Sequence, residues 1–125
     1  MLALDKRKKL PKLHPVTQKT LTLFTQRVIK QEGENLKKIV LFGSVAREEA
    51  DKDSDIDVLV VLRERTLDDV TLVCGISADV EWDMGFDENA YLQPVTVSEE
   101  DTSGLSYWGL MKNISRDGVA LYDAG

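Results

Sequence analysis

Apolar residues recur along this chain at two spacings. Leu21, Phe24 and Val28 fall three and four apart, which predicts a helix over residues 17–32, with Gly33 just past its end. Ile39-Val40-Leu41-Phe42 is a short apolar run that ends at Gly43, and Val58 to Leu62 is a second such run. Both read as strands, and the second is apolar on both faces, as a central strand is. Thr66 with Asp69 makes a capping pair that opens a helix over residues 66–84, stopped by Gly85. Its apolar stripe reads as Leu67, Val70, Cys74 and Ala78. Residues 91–97 form a third strand, and Pro94 within it favours an edge or irregular position. Ser98 with Asp101 is another capping pair. Leu105, Trp108, Met111 and Ile114 then predict a final amphipathic helix, followed by a short strand over residues 119–122.

These elements give an α/β (α+β) chain with a mixed β-sheet packed against helices. The core order is αβαβαβ plus a C-terminal helix. Residues 1–15 read as an irregular basic N-terminal segment with Pro11 and Pro15 as breakers, and residues 16–125 as one domain. No repeat, low-complexity tract or linker divides them.

Two polar clusters interrupt the apolar pattern, and both sit where strands end or begin. At the first, Gly43 lets the backbone turn sharply and lets a ligand come close. Ser44 is a favoured N-cap for a short helix over residues 45–50. The first N–H groups of such a helix lack internal partners and carry partial positive charge, so a phosphate suits them. Arg47, one turn on, can offer its fork of donors to the same phosphate. At the second cluster, Asp55 and Asp57 are two apart in an expected strand over residues 55–62 and share a face, with Cα atoms roughly 6.5 Å apart. At an effective dielectric near 20 such a pair repels by roughly 3 kcal/mol. A divalent cation offsets that repulsion. Mg²⁺ in particular is held by one or two carboxylates together with substrate phosphates. The ten residues 45–54 between Ser44 and Asp55 allow a short helix and a turn, which returns the chain beside Gly43-Ser44.

Gly43-Ser44, ten residues, then Asp55-x-Asp57 resembles the GSx10DxD signature of the minimal nucleotidyltransferase (MNT) family, MntA-like antitoxin type, within the DNA polymerase beta-like superfamily. The flanking Leu41-Phe42 and Val58-Leu59-Val60 match as well, and residues 113–122 resemble the end of such small proteins. The resemblance implies a nucleotidyltransferase fold. It implies that Gly43 and Ser44, with Arg47, hold the phosphates of ATP or another nucleoside triphosphate. It also implies that Asp55 and Asp57 hold one or two Mg²⁺ ions and are the catalytic residues. Relatives are encoded beside a HEPN-domain protein, and the implied reaction attaches AMP to that partner. The chain departs from the family at one place. Members usually carry a third carboxylate on the next core strand, and the run from Tyr91 to Val97 has none. Asp87 and Glu88 flank that strand as the nearest stand-ins, while Asp79, Glu81 and Asp83 read as the polar side of a helix.

Bulk properties narrow the field further. A chain of 125 residues, 42% hydrophobic and 30% charged, has the size and balance of one globular domain. No apolar run approaches the roughly 20 residues that span a bilayer. Met1 to Asp5, followed by a basic run, lacks the charge order of a secretory signal. The single cysteine, Cys74, excludes an internal disulfide and suggests a cytoplasmic setting. It is expected in apolar packing. One histidine, His14, gives little support to a zinc site or a Ser-His-Asp triad. A net charge of −6 argues against binding duplex nucleic acid. Lys6, Arg7, Lys8, Lys9 and Lys12 read as a solvated arm, or as a docking arm for an acidic protein or RNA. Trp82, Tyr107 and Trp108 read as core or partner-facing packing. Homo-oligomerisation stays open. Three functions compete: an Mg²⁺-dependent nucleotidyltransferase; a degenerate nucleotidyltransferase fold that acts on a partner by contact; and transfer to a small molecule such as an aminoglycoside, for which the chain is short.

Overall fold

The computed structural model describes residues 2–51 and 53–125; Met1 and Lys52, which fall in the expected N-terminal segment and surface loop, lie outside the described residues. Helix α1 spans Pro15–Glu32 and starts two residues earlier than its apolar spacing predicts. Pro15 opens this helix rather than breaking the chain before it, because its missing N–H is one the first turn does not need. His14 is the N-cap, with its Nδ1 accepting from the Val16 N–H at 3.1 Å. After a 3₁₀ turn come β1 (Leu36–Phe42), a four-residue helix α2 (Gly43–Ala46), β2 (Ile56–Leu62) and α3 (Leu67–Asp83). Then follow β3 (Leu92–Ser98), two 3₁₀ turns, α4 (Trp108–Asp117) and β4 (Val119–Asp123).

The strands form one mixed sheet in the order β3-β2-β1-β4. β1 lies antiparallel to β2 and β4, and β2 lies parallel to β3. The connection from β2 to β3 runs through α3, as a parallel pair requires. The two apolar strands are therefore central, and β3 with Pro94 is an edge, as their sequences predict. Alternate residues of β1 and β2 face opposite layers. Ile39, Leu41, Val58 and Val60 pack with Phe24 and Val28 of α1 and Val73 and Val80 of α3. Val40, Leu59 and Val61 pack with Met111 and Ile114 of α4. Each fully buried Leu, Ile or Phe side chain contributes roughly 1.5–3 kcal/mol through loss of apolar surface from water, so the sheet is clamped from both sides.

Several expectations change here. On α3 the buried residues are Val73, Ser77 and Val80, one position from the expected stripe. Leu67 is 86% exposed, and Cys74 is exposed rather than packed. The capping box at Thr66 and Asp69 forms as read. The Ser98–Asp101 pair also forms, with N–H bonds of 3.0 and 3.1 Å, but it opens a 3₁₀ turn, and α4 begins only at Trp108. The basic N-terminal segment is irregular yet lies on the domain. Leu2 and Leu4 pack on the α4 side, the Lys8 ammonium donates to the Arg116 carbonyl at 2.8 Å, and the Lys12 N–H donates to Glu48 at 3.2 Å. Among the described residues no helix is long and apolar enough to cross a membrane.

Candidate active site

Gly43 is the hinge of the site. Its φ is +76°, a conformation that an L side chain adopts only under strain. A Cβ built there would lie 2.2 Å from Asp57 Oδ2 and 3.0 Å from its carboxyl carbon. The strand register explains this closeness: Phe42 pairs with Asp57, so the residue after β1 sits over the first carboxylate inside β2. Gly43 and Asp57, ten and more residues apart in sequence, thus share one end of two adjacent strands.

Ser44 does not cap the short helix. Phe42 holds the N-cap position, Ser44 is the second helical residue, and α2 ends at Ala46 rather than reaching Ala50. The Glu49 N–H bonds to the Ser44 carbonyl at 2.9 Å, and Glu48 takes a positive φ of 58° to leave the helix. The loop that follows is held by local bonds: Asp51 Oδ1 accepts from the Asp53 N–H at 2.9 Å, and Ser54 Oγ accepts from the Asp51 N–H at 3.1 Å. That loop delivers Asp55, which is exposed and lies one residue before β2, while Asp57 is half-buried within it. The Ile56 N–H bonds to the Tyr91 carbonyl at 2.8 Å and fixes the pair against the start of β3.

Burial, then the charge of Asp55, pushes the Asp57 carboxyl above the ordinary aspartate range, and the Arg47 guanidinium works against both. Arg47 is therefore within electrostatic reach of the acids, but its fork is engaged elsewhere. It contacts Glu49 at 3.1 Å and Asp117 of α4 at 3.4 Å. A two-pronged grip on a phosphate through Nε or Nη1 would exchange one of these partners.

Glu81 is the acid that sequence reasoning missed. It lies at the end of α3, where burial raises its carboxyl, the Leu92 N–H bond lowers it, and the charge of Asp55 raises it again. No sequence spacing announces this, because the approach depends on how α3 packs across β2 and β3. The two proposed stand-ins do not join the pair. Asp87 accepts from the Asn89 N–H at 2.8 Å within its own turn. Glu88 lines a separate cleft of about 470 Å³ between α2, the start of α1 and the turn at Asn89, which neither Asp55 nor Asp57 lines. Among the described residues no three His, Cys, Asp or Glu side chains are grouped to hold a metal.

The arrangement nonetheless fits a divalent ion. It offers two hard carboxylate oxygen donors on an open ledge, one of them pressed against a glycine whose missing Cβ leaves the space, and a repulsion that a cation would relieve. Because the folded Asp57 holds its proton more tightly than an unfolded aspartate, the ion-free protein loses stability as pH rises through that raised value. Asp57→Asn is expected to remove this loss. At pH 7 the ion-free variant should melt roughly 2–5 °C higher than the parent, a small gain because water still screens much of the group. At about pH 3, below the ordinary aspartate value, the two should melt alike. Thermal melts in chelator at both pH values check this.

The profile of the nucleotidyltransferase domain matches residues 25–115. No curated protein matches the chain in sequence. Among solved structures, the chain is similar to one described as a toxin-antitoxin with AMP-PNP, at 19% identity, covering 81% of this chain and 72% of that one, with a TM-score of 0.54. It is similar to a tri-AMPylated Shewanella oneidensis HEPN toxin in complex with MNT antitoxin, at 15% identity, 86% and 73% coverage and a TM-score of 0.51. A third, a mutant of the toxin-antitoxin MntA-HpeT, shows 14% identity, 80% and 71% coverage and a TM-score of 0.53.

Proposed function

The chain belongs to the nucleotidyltransferase domain family, and on that premise we propose that it transfers a nucleotide, AMP from ATP, to a hydroxyl on a HEPN-type partner protein. The observation that carries this reading is the closeness of Gly43 to Asp57, which puts the first turn of α2 against one of the two acids. Mg²⁺ bound by Asp55 and Asp57 would neutralise phosphate charge and polarise the α-phosphorus. The N–H groups at the start of α2 and the Ser44 hydroxyl hold the terminal phosphates, and Arg47 adds a charged donor when it leaves Glu49 or Asp117. The acceptor oxygen bonds to the α-phosphorus, the bond to pyrophosphate breaks, and pyrophosphate leaves with the electron pair while the hydroxyl proton passes to solvent. Protein acceptors suit an open ledge. The rings of Trp82 and Phe86, 71% and 52% exposed and edge-to-face at 5.7 Å, stand at the end of α3 and give a partner an apolar footing. The solved complexes of toxin and antitoxin support the choice of partner.

A second reading, a degenerate fold that silences its partner by contact alone, is favoured by the lack of a third grouped carboxylate among the described residues. The two separate in one experiment. The protein is incubated with labelled ATP, Mg²⁺ and the product of the adjacent gene. Label on the partner that disappears with Asp55→Ala/Asp57→Ala is the expected result. Partner inhibition that persists in the double variant, with no label, would establish the contact mechanism instead.

A further inference from the structure

The row of residues across the sheet at the acid pair runs Phe42, Asp57, Gln93, because Phe42 pairs with Asp57 in β1–β2 and Asp57 pairs with Gln93 in the parallel β2–β3 ladder. Paired residues on neighbouring strands lie about 4.8 Å apart and project from the same face. Phe42 packs into the layer under α4, so the remaining polar neighbour of Asp57 in this row is Gln93, which is exposed at the edge strand. The other acid in the neighbourhood, Glu81, lies on α3, and among the described residues no third acid is grouped with Asp55 and Asp57. Beside Asp57 in this row, the polar oxygen that the sheet offers is the neutral amide of Gln93.

We propose that Gln93 supplies a third ligand through its amide oxygen, so that the ion is held by two carboxylates and one neutral carbonyl. This rests on the reading of Asp55 and Asp57 as the metal-binding pair. An amide oxygen is a hard donor of the kind that binds such ions, but it brings no charge, and the charge of the ligand set governs how tightly a divalent ion is held. The ligand set of this site carries two negative charges. The ion is consequently held loosely by the protein alone and firmly once nucleotide phosphates complete its shell. Gln93 thereby ties metal loading to nucleotide arrival.

The test is titration of the full chain with Mn²⁺, without nucleotide, followed by electron paramagnetic resonance of the free ion. Gln93→Leu should weaken binding about fivefold and Gln93→Glu should tighten it about tenfold, following ligand charge and number. Both substitutions fall on an exposed edge-strand position, and thermal melts confirm folding. Equal binding by the parent and both variants would overturn the role of Gln93 while leaving the acid pair intact, with Asp57→Asn still abolishing binding. Weakening by both variants to the same extent would also overturn it, since packing rather than ligation would then be lost. Absence of Mn²⁺ binding by the parent, with and without ATP, would remove the acid-pair reading itself.

Discussion

Asparagine at position 57 is expected to lower nucleotide transfer by roughly 10²–10³-fold while leaving the fold intact. The substitution keeps the size and shape of the side chain under Gly43, so the close approach of the β1–α2 turn is preserved. What it removes is one of the two negative charges that hold the cation. Stability and activity should therefore move in opposite directions. The unliganded variant melts slightly higher, because a carboxylate raised by burial and by Asp55 is gone, and the same variant fails to transfer label. A residue that merely supported the strand would lose both together. Measuring initial rates of label transfer beside melting temperatures, on one preparation, separates these cases. A variant with near-parental rates would show that Asp57 holds no catalytic ion.

Alanine at position 43 should damage both the turn and the acid pair it faces. Two penalties combine. The backbone at φ +76° costs a residue with a Cβ about 1–2 kcal/mol. The added methyl would also fall 2.2 Å from Asp57 Oδ2 and 3.2 Å from its Cβ, so the carboxylate must rotate away or the turn must open. Either movement separates the phosphate-binding turn from the acid pair. Gly33 provides the control. It also has a positive φ, of 53°, but a Cβ there meets nothing within 4 Å. Gly33→Ala should lose a similar amount of stability through backbone strain alone and keep ATP binding. Gly43→Ala should lose ATP affinity by at least about tenfold as well, an interaction worth about 1.4 kcal/mol. Calorimetric ATP titrations of the two variants in Mg²⁺ make the comparison, and equal affinities would remove the geometric link between the turn and the acids.

The parts of this molecule that were legible in its sequence are those fixed by short-range rules. The central strands could be read because apolar residues occupy both faces. The proline in β3, which cannot donate to a ladder, left an edge or an irregular position, and the edge is the one adopted. The capping box at Thr66 closes through bonds three residues apart, and no distant packing is needed to form it. The Gly43–Asp57 approach was legible for a related reason: a strand, a turn of fixed length and a second strand leave the chain few ways to return.

What escaped reading depends on tertiary choice. Helix α3 carries Leu67, Val70, Leu72, Val73, Cys74 and Ile76 almost all round its axis. Spacing alone then cannot say which stripe the sheet will cover, and the chosen stripe passes through Val73, Ser77 and Val80. The same rotation, not any motif, brings Glu81 to Leu92 and Asp55. The N-terminal segment was half legible. Its basic side chains are exposed, as their charge implies, but Leu2, Leu4 and backbone N–H bonds to the side chains of Ser115 and Glu48 lay it along the domain. The short α2 ended early because Glu48 turns into the left-handed region, a local outcome that helix propensity does not foresee.

A crystal of the full chain grown with Mn²⁺ and a non-hydrolysable ATP analogue, with anomalous data collected at the manganese edge, asks the central question directly. The expected map has an anomalous peak between the carboxylates of Asp55 and Asp57, with the analogue's terminal phosphates on the Gly43 and Ser44 amides. A map with the nucleotide bound elsewhere, or with no manganese within coordination distance of either aspartate, would contradict the proposed convergence of turn, acids and triphosphate.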